Sequence, residues 1–342
     1  MQDVNANSGN IKQNGFSPHQ GKSNNNFQKI SFLQKILKVR ELSLFLLVIL
    51  IIISLSIITP NFWQISNFKS IARGFFLEAI VLIGMTFLLV SGVFDLSVGS
   101  VMALAGYVTA ALVVKGIPLY ISCLAGLLTG VAAGYINGKI ITFFGVNPLI
   151  MTFGMMSIAR GIALAATQGQ TVRVFDGAFI NLGKGEIFGF PKSMLALIVI
   201  VFFLDFCMRR VRYFRQLYFI GGNEVSADLS GINVKKMRII AYVVMGFLAA
   251  VSGIFENARL MGAIPTAFIG IELKLIVAAV IGGCSLNGGE GSIIGSMLGL
   301  IFLFLLSNGM TLLGISMYWE NFVLGAFLIL VVIINTWSIR KN

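Results

Sequence analysis

After residue 40 the chain alternates long apolar runs with short polar intervals. The first run, Leu42 to Thr59, has 18 residues without a charge; others follow at about 73–92, 97–114, 118–140, 147–167, 193–208, 239–257, 272–284, 291–308 and 318–336. Roughly 20 consecutive apolar residues cross a bilayer as a helix. The pattern therefore predicts an all-α polytopic membrane protein of about ten spans. The eighth run is short and is expected to be re-entrant or broken. Pro118, Asn147-Pro148 and Pro191 stand at the entrances of the fourth, fifth and sixth runs, where the fixed φ and missing N–H of proline do least harm to a helix.

One interval departs from this rhythm. Arg209 to Arg238 is long and polar, with Arg209, Arg210, Arg212, Arg215, Lys235, Lys236 and Arg238 set against the acids Glu224 and Asp228. Lys and Arg beside span ends are retained on the cytoplasmic side, so this loop is expected there. Within it Asn223 can cap a short helix, Val225 and Leu229 share one face at i, i+4, and Gly231 can end it. A small surface helix held between spans would serve as a handle for a soluble partner; an ordinary basic connector is the plainer reading.

Ten spans put both termini on one side. With the N-terminus inside, the inner segments hold sixteen basic residues and the outer segments seven, which supports cytoplasmic termini and a cytoplasmic 209–238 loop. Residues 1–40 are rich in Asn, Gln and Ser with no apolar period, and read as a disordered polar tail preceding a transmembrane domain at 41–338. The long polar lead and the absence of a small-residue cleavage site before Pro60 argue against a signal peptide. Gly15 with Gly21-Lys22-Ser23 approximates a phosphate-binding loop, but the first glycine is one residue too far away and no apolar strand precedes it. The chain is thus expected to bind no nucleotide or other cofactor itself.

Composition agrees. Of 342 residues, 57% are hydrophobic and 11% charged, whereas about a quarter are charged in soluble domains. The net charge of +12 is concentrated in the tail and the central loop, so it reads as topology and contact with anionic lipid rather than nucleic-acid binding. Cys123, Cys207 and Cys284 are scattered, without metal-ligand spacing or an implied disulfide. The single histidine, His19, lies in the tail, and no cluster suits a metal or a catalytic triad.

In place of catalysis, charges inside apolar runs attract attention: Glu78, Asp95, Arg160, Asp205, Glu256, Glu272 and Lys274. Helical rise puts Glu78 roughly 8 Å and Arg160 roughly 10 Å from the outer ends of their runs. That similarity predicts a Glu78–Arg160 pair in an outward-facing vestibule, near Glu256, Arg259, Glu272 and Lys274. Asp95 to Ser100 joins the second and third runs by a link too short for two full spans; Asp95 and Ser97 are expected to cap the third helix, with ion coordination as the alternative. Gly126, Gly130, Gly134 and Gly138 form an i+4 stripe in the fourth run, as do Gly291, Gly295 and Gly299 in the ninth. Such stripes permit close backbone approach, and both helices are expected to be central.

Four blocks carry a family resemblance: GMTFLLVSGVFDLSVGSVMALAG from Gly84, NPLIMTFGMMSIARG from Asn147, GGNEVSADLSGINVKK from Gly221, and PTAFIGIELKLIVAAVIGGCSLNGGEGS from Pro265. In this order and spacing they resemble the membrane permease of ribose-type monosaccharide ABC importers, over about Leu42 to Asn335. The resemblance implies a multi-pass protein of the bacterial plasma (inner) membrane, paired with a second permease copy or paralogue. It further implies a separate ATP-binding subunit that binds the ATP, and an extracytoplasmic sugar-binding protein. Its coupling helix corresponds to Gly222, Asn223, Glu224, Ala227, Leu229 and Gly231. The family would lead one to expect an acid at Lys274, Thr or Ser at Cys284, a basic or small residue at Glu290 and Ile at Phe94. A branched-chain amino acid ABC permease and, from another class, a secondary carrier that uses no ATPase are the competing readings.

Overall fold

The computed structural model describes residues 40–188 and 190–316, with scattered positions between 318 and 333. The 1–39 tail, including the near-miss phosphate loop, and most of the tenth run lie outside the described residues. The helices are α1 (Arg40–Ile58), α2 (Ile65–Val90), α3 (Val98–Val114), α4 (Leu119–Phe144), α5 (Pro148–Thr167), α6 (Gly177–Lys184), α7 (Lys192–Arg210), α8 (Arg212–Gly222), α9 (Glu224–Leu229), α10 (Val234–Arg259), α11 (Ile271–Ile281) and α12 (Ile293–Leu312). Among the described residues, four two-residue strands join connections: β1 (Val172–Arg173) pairs with β4 (Gly262–Ala263), and β2 (Glu186–Ile187) with β3 (Phe190–Pro191), both antiparallel.

Among the described residues the chain is mostly helical, and five helices, α2, α4, α5, α10 and α12, are long and apolar enough to cross a membrane, with α3 and Leu42–Ile58 of α1 as shorter apolar helices. Their connections gather at two ends. At one end the turn after α2, the α8–α9 segment and the α11–α12 loop touch one another. At the other, β1 meets β4 and Gly183 packs on Arg259.

The helix that organises the core is α2. Every residue from Ala79 to Val90 is buried, because this stretch is apolar all round and its neighbours, α10, α12, α11 and α7, enclose it. The glycine stripe of α4 tells a different story. Gly130 faces Gly246 and Ala250 of α10, Gly134 faces Tyr242, and Gly138 faces Ile239, each so closely that a Cβ would collide. The opposite side of α4 is exposed, with Tyr120, Ile121, Leu124, Leu128, Tyr135 and Ile136 at the surface. The expectation that the fourth run is central is therefore corrected: one bare stripe secures a peripheral helix to α10.

The ninth-run stripe is also shorter than expected. Ser292 caps α12 by accepting from Gly295 N–H at 2.9 Å, so the helix begins after Gly291. Gly291 instead has φ +147° in the preceding loop, a conformation that favours glycine. Gly295 and Gly299 do seat α12 against Gly282 and Ala278. The eighth run folds as the 11-residue α11, about 16 Å long, too short for a hydrocarbon core of about 30 Å.

Candidate functional site

The basic interval folds as two short helices between α7 and α10. Helix α8 is amphipathic: Leu217 and Ile220 are buried beneath it, while Arg212, Tyr213, Arg215 and Phe219 are exposed. Helix α9 then stands on its own caps. Asn223 accepts from Ser226 N–H at 2.9 Å at its start. At its end Gly231 N–H donates to Asp228 at 2.9 Å and Ile232 N–H to Ala227 at 3.1 Å, with Gly231 at φ +80°. This paired closure needs a left-handed residue, hence a glycine.

Ala227 turns inward and is buried, while Val225 and Leu229 are 70% and 84% exposed. Six residues make an unstable helix alone, so tertiary bonds must hold it. Glu224 supplies one: its two carboxylate oxygens accept from Arg238 Nη1 and Nη2 at 2.9 and 2.8 Å, a bidentate bond to the first turn of α10. The preceding helix α8, which leads directly into α9, is fixed by backbone contact. Gly221 lies against Val90, Gly288 and Gly289, Gly288 also meets Gly92, and Gly289 N–H donates to Val90 C=O at 2.9 Å. Tyr218 hydroxyl reaches Gly291 C=O at 2.9 Å. Helix α9 is thus tied directly to α10, and through α8 to the end of α2 and to the α11–α12 loop.

One helical turn beyond Arg238, the buried Tyr242 donates its hydroxyl to Phe94 C=O at 3.0 Å. The bond uses backbone, so the phenylalanine at this position leaves it available. Next in sequence, Asp95 Oδ1 accepts from Ser97 N–H at 2.7 Å and from Ser97 Oγ at 2.6 Å, while Asn137 Nδ2 donates to Asp95 Oδ2 at 3.3 Å and to Ser97 Oγ at 3.1 Å. Asp95 binds the N–H of Ser97, the residue before α3, rather than a free N–H of the helix itself. Ser97 occupies the cap position without a side-chain cap bond and instead donates to Asp95.

The charges toward the other end pair differently from expectation. Glu78 bonds Lys274 at 3.0 Å rather than Arg160, and Lys274 Nζ also lies 4.2 Å from the Phe304 ring centroid. Arg160 instead donates to Pro265 C=O at 2.5 Å and Ala267 C=O at 2.8 Å. Depth alone could not foresee this, because the carbonyls belong to a connection that folds inward. Glu272, at the start of α11, lies close enough for its charge to act on Arg160 and borders Gly99 of α3. Glu256 and Arg259 form their own i, i+3 ion pair. The structure therefore brings Glu78 together with Lys274, engages Arg160 with the carbonyls of Pro265 and Ala267, and holds Asp95 in a separate polar knot.

Sequence reasoning missed Asn137, Tyr242 and Arg238 as partners. Asn137 stands between two stripe glycines, where an amide in an otherwise apolar run was the available signal. Cys284 Sγ lies 3.2 Å from Ser296 Oγ, which in turn bonds Thr86 at 2.9 Å. Cys284 thus gives the buried start of the α11–α12 loop a polar contact with α12. Among the described residues, no group of His, Cys, Asp and Glu is placed to hold a metal ion.

Comparison with known proteins follows this geometry. Residues 67–332 match the family described as "Branched-chain amino acid transport system / permease component". The ribose import permease protein RbsC of Escherichia coli strain K12 is 36% identical over 301 residues, covering 87% of this chain and 94% of that protein. The L-arabinose transport system permease protein AraH of the same strain is 35% identical over 286 residues, 84% of this chain and 87% of that protein. Its D-allose transport system permease protein AlsC is 33% identical over 296 residues, covering 85% and 90%. A multi-pass protein of the inner membrane and a transport component rather than an enzyme, the chain belongs to this family of transport-system permeases.

Proposed function

We propose that this chain is the translocation subunit of an ATP-driven importer that carries a small monosaccharide, ribose-like in size, into the cell. Ten spans would place both termini and the 209–238 loop in the cytoplasm, in keeping with the charge bias. A separate ATP-binding subunit would bind and hydrolyse ATP. A second permease copy or paralogue would complete the pore, and an extracytoplasmic sugar-binding protein would deliver substrate. The observation that carries this reading is α9: a capped helix bonded to α10 and continuous with α8, which is itself fixed to the end of α2 and the α11–α12 loop, while Val225 and Leu229 point outward. Such a helix can pass the movement of a bound ATPase into the permease, because its ties leave it little freedom to tilt alone. Alternating access then follows as ATP and substrate stabilise different states.

The sugar assignment is supported by the relatives, whose names give ribose, allose and arabinose. The family description favours a second reading, branched-chain amino acids. Uptake into proteoliposomes containing this chain, its ATPase and its binding protein separates them: ATP-dependent accumulation of labelled ribose, allose or arabinose supports the proposal. Accumulation of leucine instead supports the second reading, and uptake with neither ATP nor ATPase makes the chain a secondary carrier.

A further inference from the structure

A cleft of about 750 Å³ opens between α8 and α9, with Arg210, Arg212, Arg215, Phe219, Ser226 and Ile232 among its lining residues. Neither Val225 nor Leu229 lines it, so it is distinct from the outward face assigned above to ATPase contact. All three arginines are exposed, and among the described residues none forms an ion pair. Glu224, the acid that opens α9, already spends both carboxylate oxygens on Arg238. Three unneutralised guanidiniums around one opening define a site for an anion, and Arg in particular suits phosphate through its planar fork of donors.

The surface leading into the cleft identifies which anion. Helix α7 presents Val199, Phe202, Phe203 and Phe206 at 60–72% exposure, a ridge that in a membrane protein faces acyl chains. The ridge ends at Arg210, the chain turns at the extended Val211, and α8 brings Arg212 and Arg215 one turn apart beside the exposed aromatics Tyr213 and Phe219. Apolar ridge, aromatic residues and basic cluster follow one another as acyl chain, interface and headgroup do in a lipid.

We propose that this cleft is a binding site for an anionic phospholipid, its phosphate held by Arg210, Arg212 and Arg215 and an acyl chain lying along Val199, Phe202, Phe203 and Phe206. The site shares Asn223, Ser226 and Ala227 with α9, so an occupied cleft braces that helix from its inner side.

Native mass spectrometry of the purified full chain, titrated with phosphatidylglycerol, tests this without ATPase or sugar, so its result is independent of the transport reading. The expected result is a one-to-one adduct that phosphatidylcholine does not form. The triple variant R210Q/R212Q/R215Q should weaken it by at least tenfold, whereas K139Q/K235Q/K236Q, which removes the same charge, should leave it within twofold. R210K/R212K/R215K, which keeps the charge, should retain part of the binding and shows that the cluster can be altered without loss of fold. Equal adducts in both Gln variants would overturn the site. Displacement by soluble glycerophosphoglycerol at equal concentration would overturn the lipid as its occupant and leave a free phosphate site. A Gln variant that keeps the lipid but loses the ATPase on co-purification would make the cleft a protein interface, again against the proposal.

Discussion

Glu224 and Arg238 join α9 to α10 by two parallel hydrogen bonds, 2.9 and 2.8 Å, across a loop that contains Gly231 at φ +80°. Arg238 stands one turn before Tyr242 on α10, and Tyr242 holds the Phe94 carbonyl. Polar contacts at successive turns of α10 thus link the short surface helix and the break between α2 and α3 to the same helix. The pair is partly exposed, at 17% for the Arg238 side chain and 53% for Glu224, so its worth in stability is only about 0.5–1 kcal/mol. Its consequence for transport should be larger. Glu224→Gln should leave the melting temperature in detergent nearly unchanged while lowering ATP-dependent uptake several-fold. The exchange E224R/R238E should recover part of the loss; uptake equal to wild type in Glu224→Gln would remove the pair from the coupling route.

Tyr242→Phe removes one hydroxyl and leaves the Phe94 carbonyl without its donor. The site is part-buried, so the loss should fall toward the low end of the roughly 1–3 kcal/mol that an orphaned acceptor costs, and the variant should melt a few degrees lower. Asn137→Ala should be similarly costly, since it takes a donor from both Asp95 and Ser97. Thermal unfolding of the purified variants checks both values.

Glycines separate into two groups by what surrounds them. Gly134 is pressed against the backbone of Tyr242 and Gly246 against that of Gly130, whereas Gly154 and Gly161 of α5 have nothing within 4 Å of an added Cβ. Gly134→Val should force α4 from α10 and abolish accumulation of folded protein. Gly154→Ala should be neutral or stabilising, by up to about 1 kcal/mol from helix propensity. Size-exclusion profiles of detergent extracts distinguish the two.

Lys274 and Glu78 neutralise each other in a largely buried setting, with side chains 13% and 21% exposed. Removing one partner of a buried pair costs about 3–5 kcal/mol. Lys274→Met should therefore lower the yield of folded protein sharply, and E78K/K274E should restore much of it. The exchange E78R/R160E should not, because Arg160 is engaged by the carbonyls of Pro265 and Ala267.

Much of this was legible in the sequence for a physical reason: long apolar runs and caps are local features. Asn147-Pro148 does open α5, with Asn147 accepting from Leu149 N–H at 2.9 Å, and Asn223 and Gly231 do bound α9. What depended on three-dimensional partners was not legible. The glycine stripe of α4 predicted close approach, but a stripe describes one face and says nothing of the other, so the exposed outer side came only with the structure. Glu78 and Arg160 share a depth, yet rotation about each helix and the path of the 260–270 connection decide which groups they meet. The crossing of Gly92, Gly221 and Gly288 joins three distant segments, and no spacing in the chain could announce it.

The account rests most heavily on the outward face of α9. Val225→Glu with Leu229→Glu alters that face alone, since both side chains are exposed and the buried Ala227, the caps and the Glu224–Arg238 bond are untouched. Co-purification of the ATP-binding subunit with this double variant, quantified against wild type at equal membrane insertion, is the most direct measurement. The account predicts at least a tenfold loss of bound ATPase with the permease still inserted and folded. An undiminished ATPase yield, with uptake intact, would contradict it.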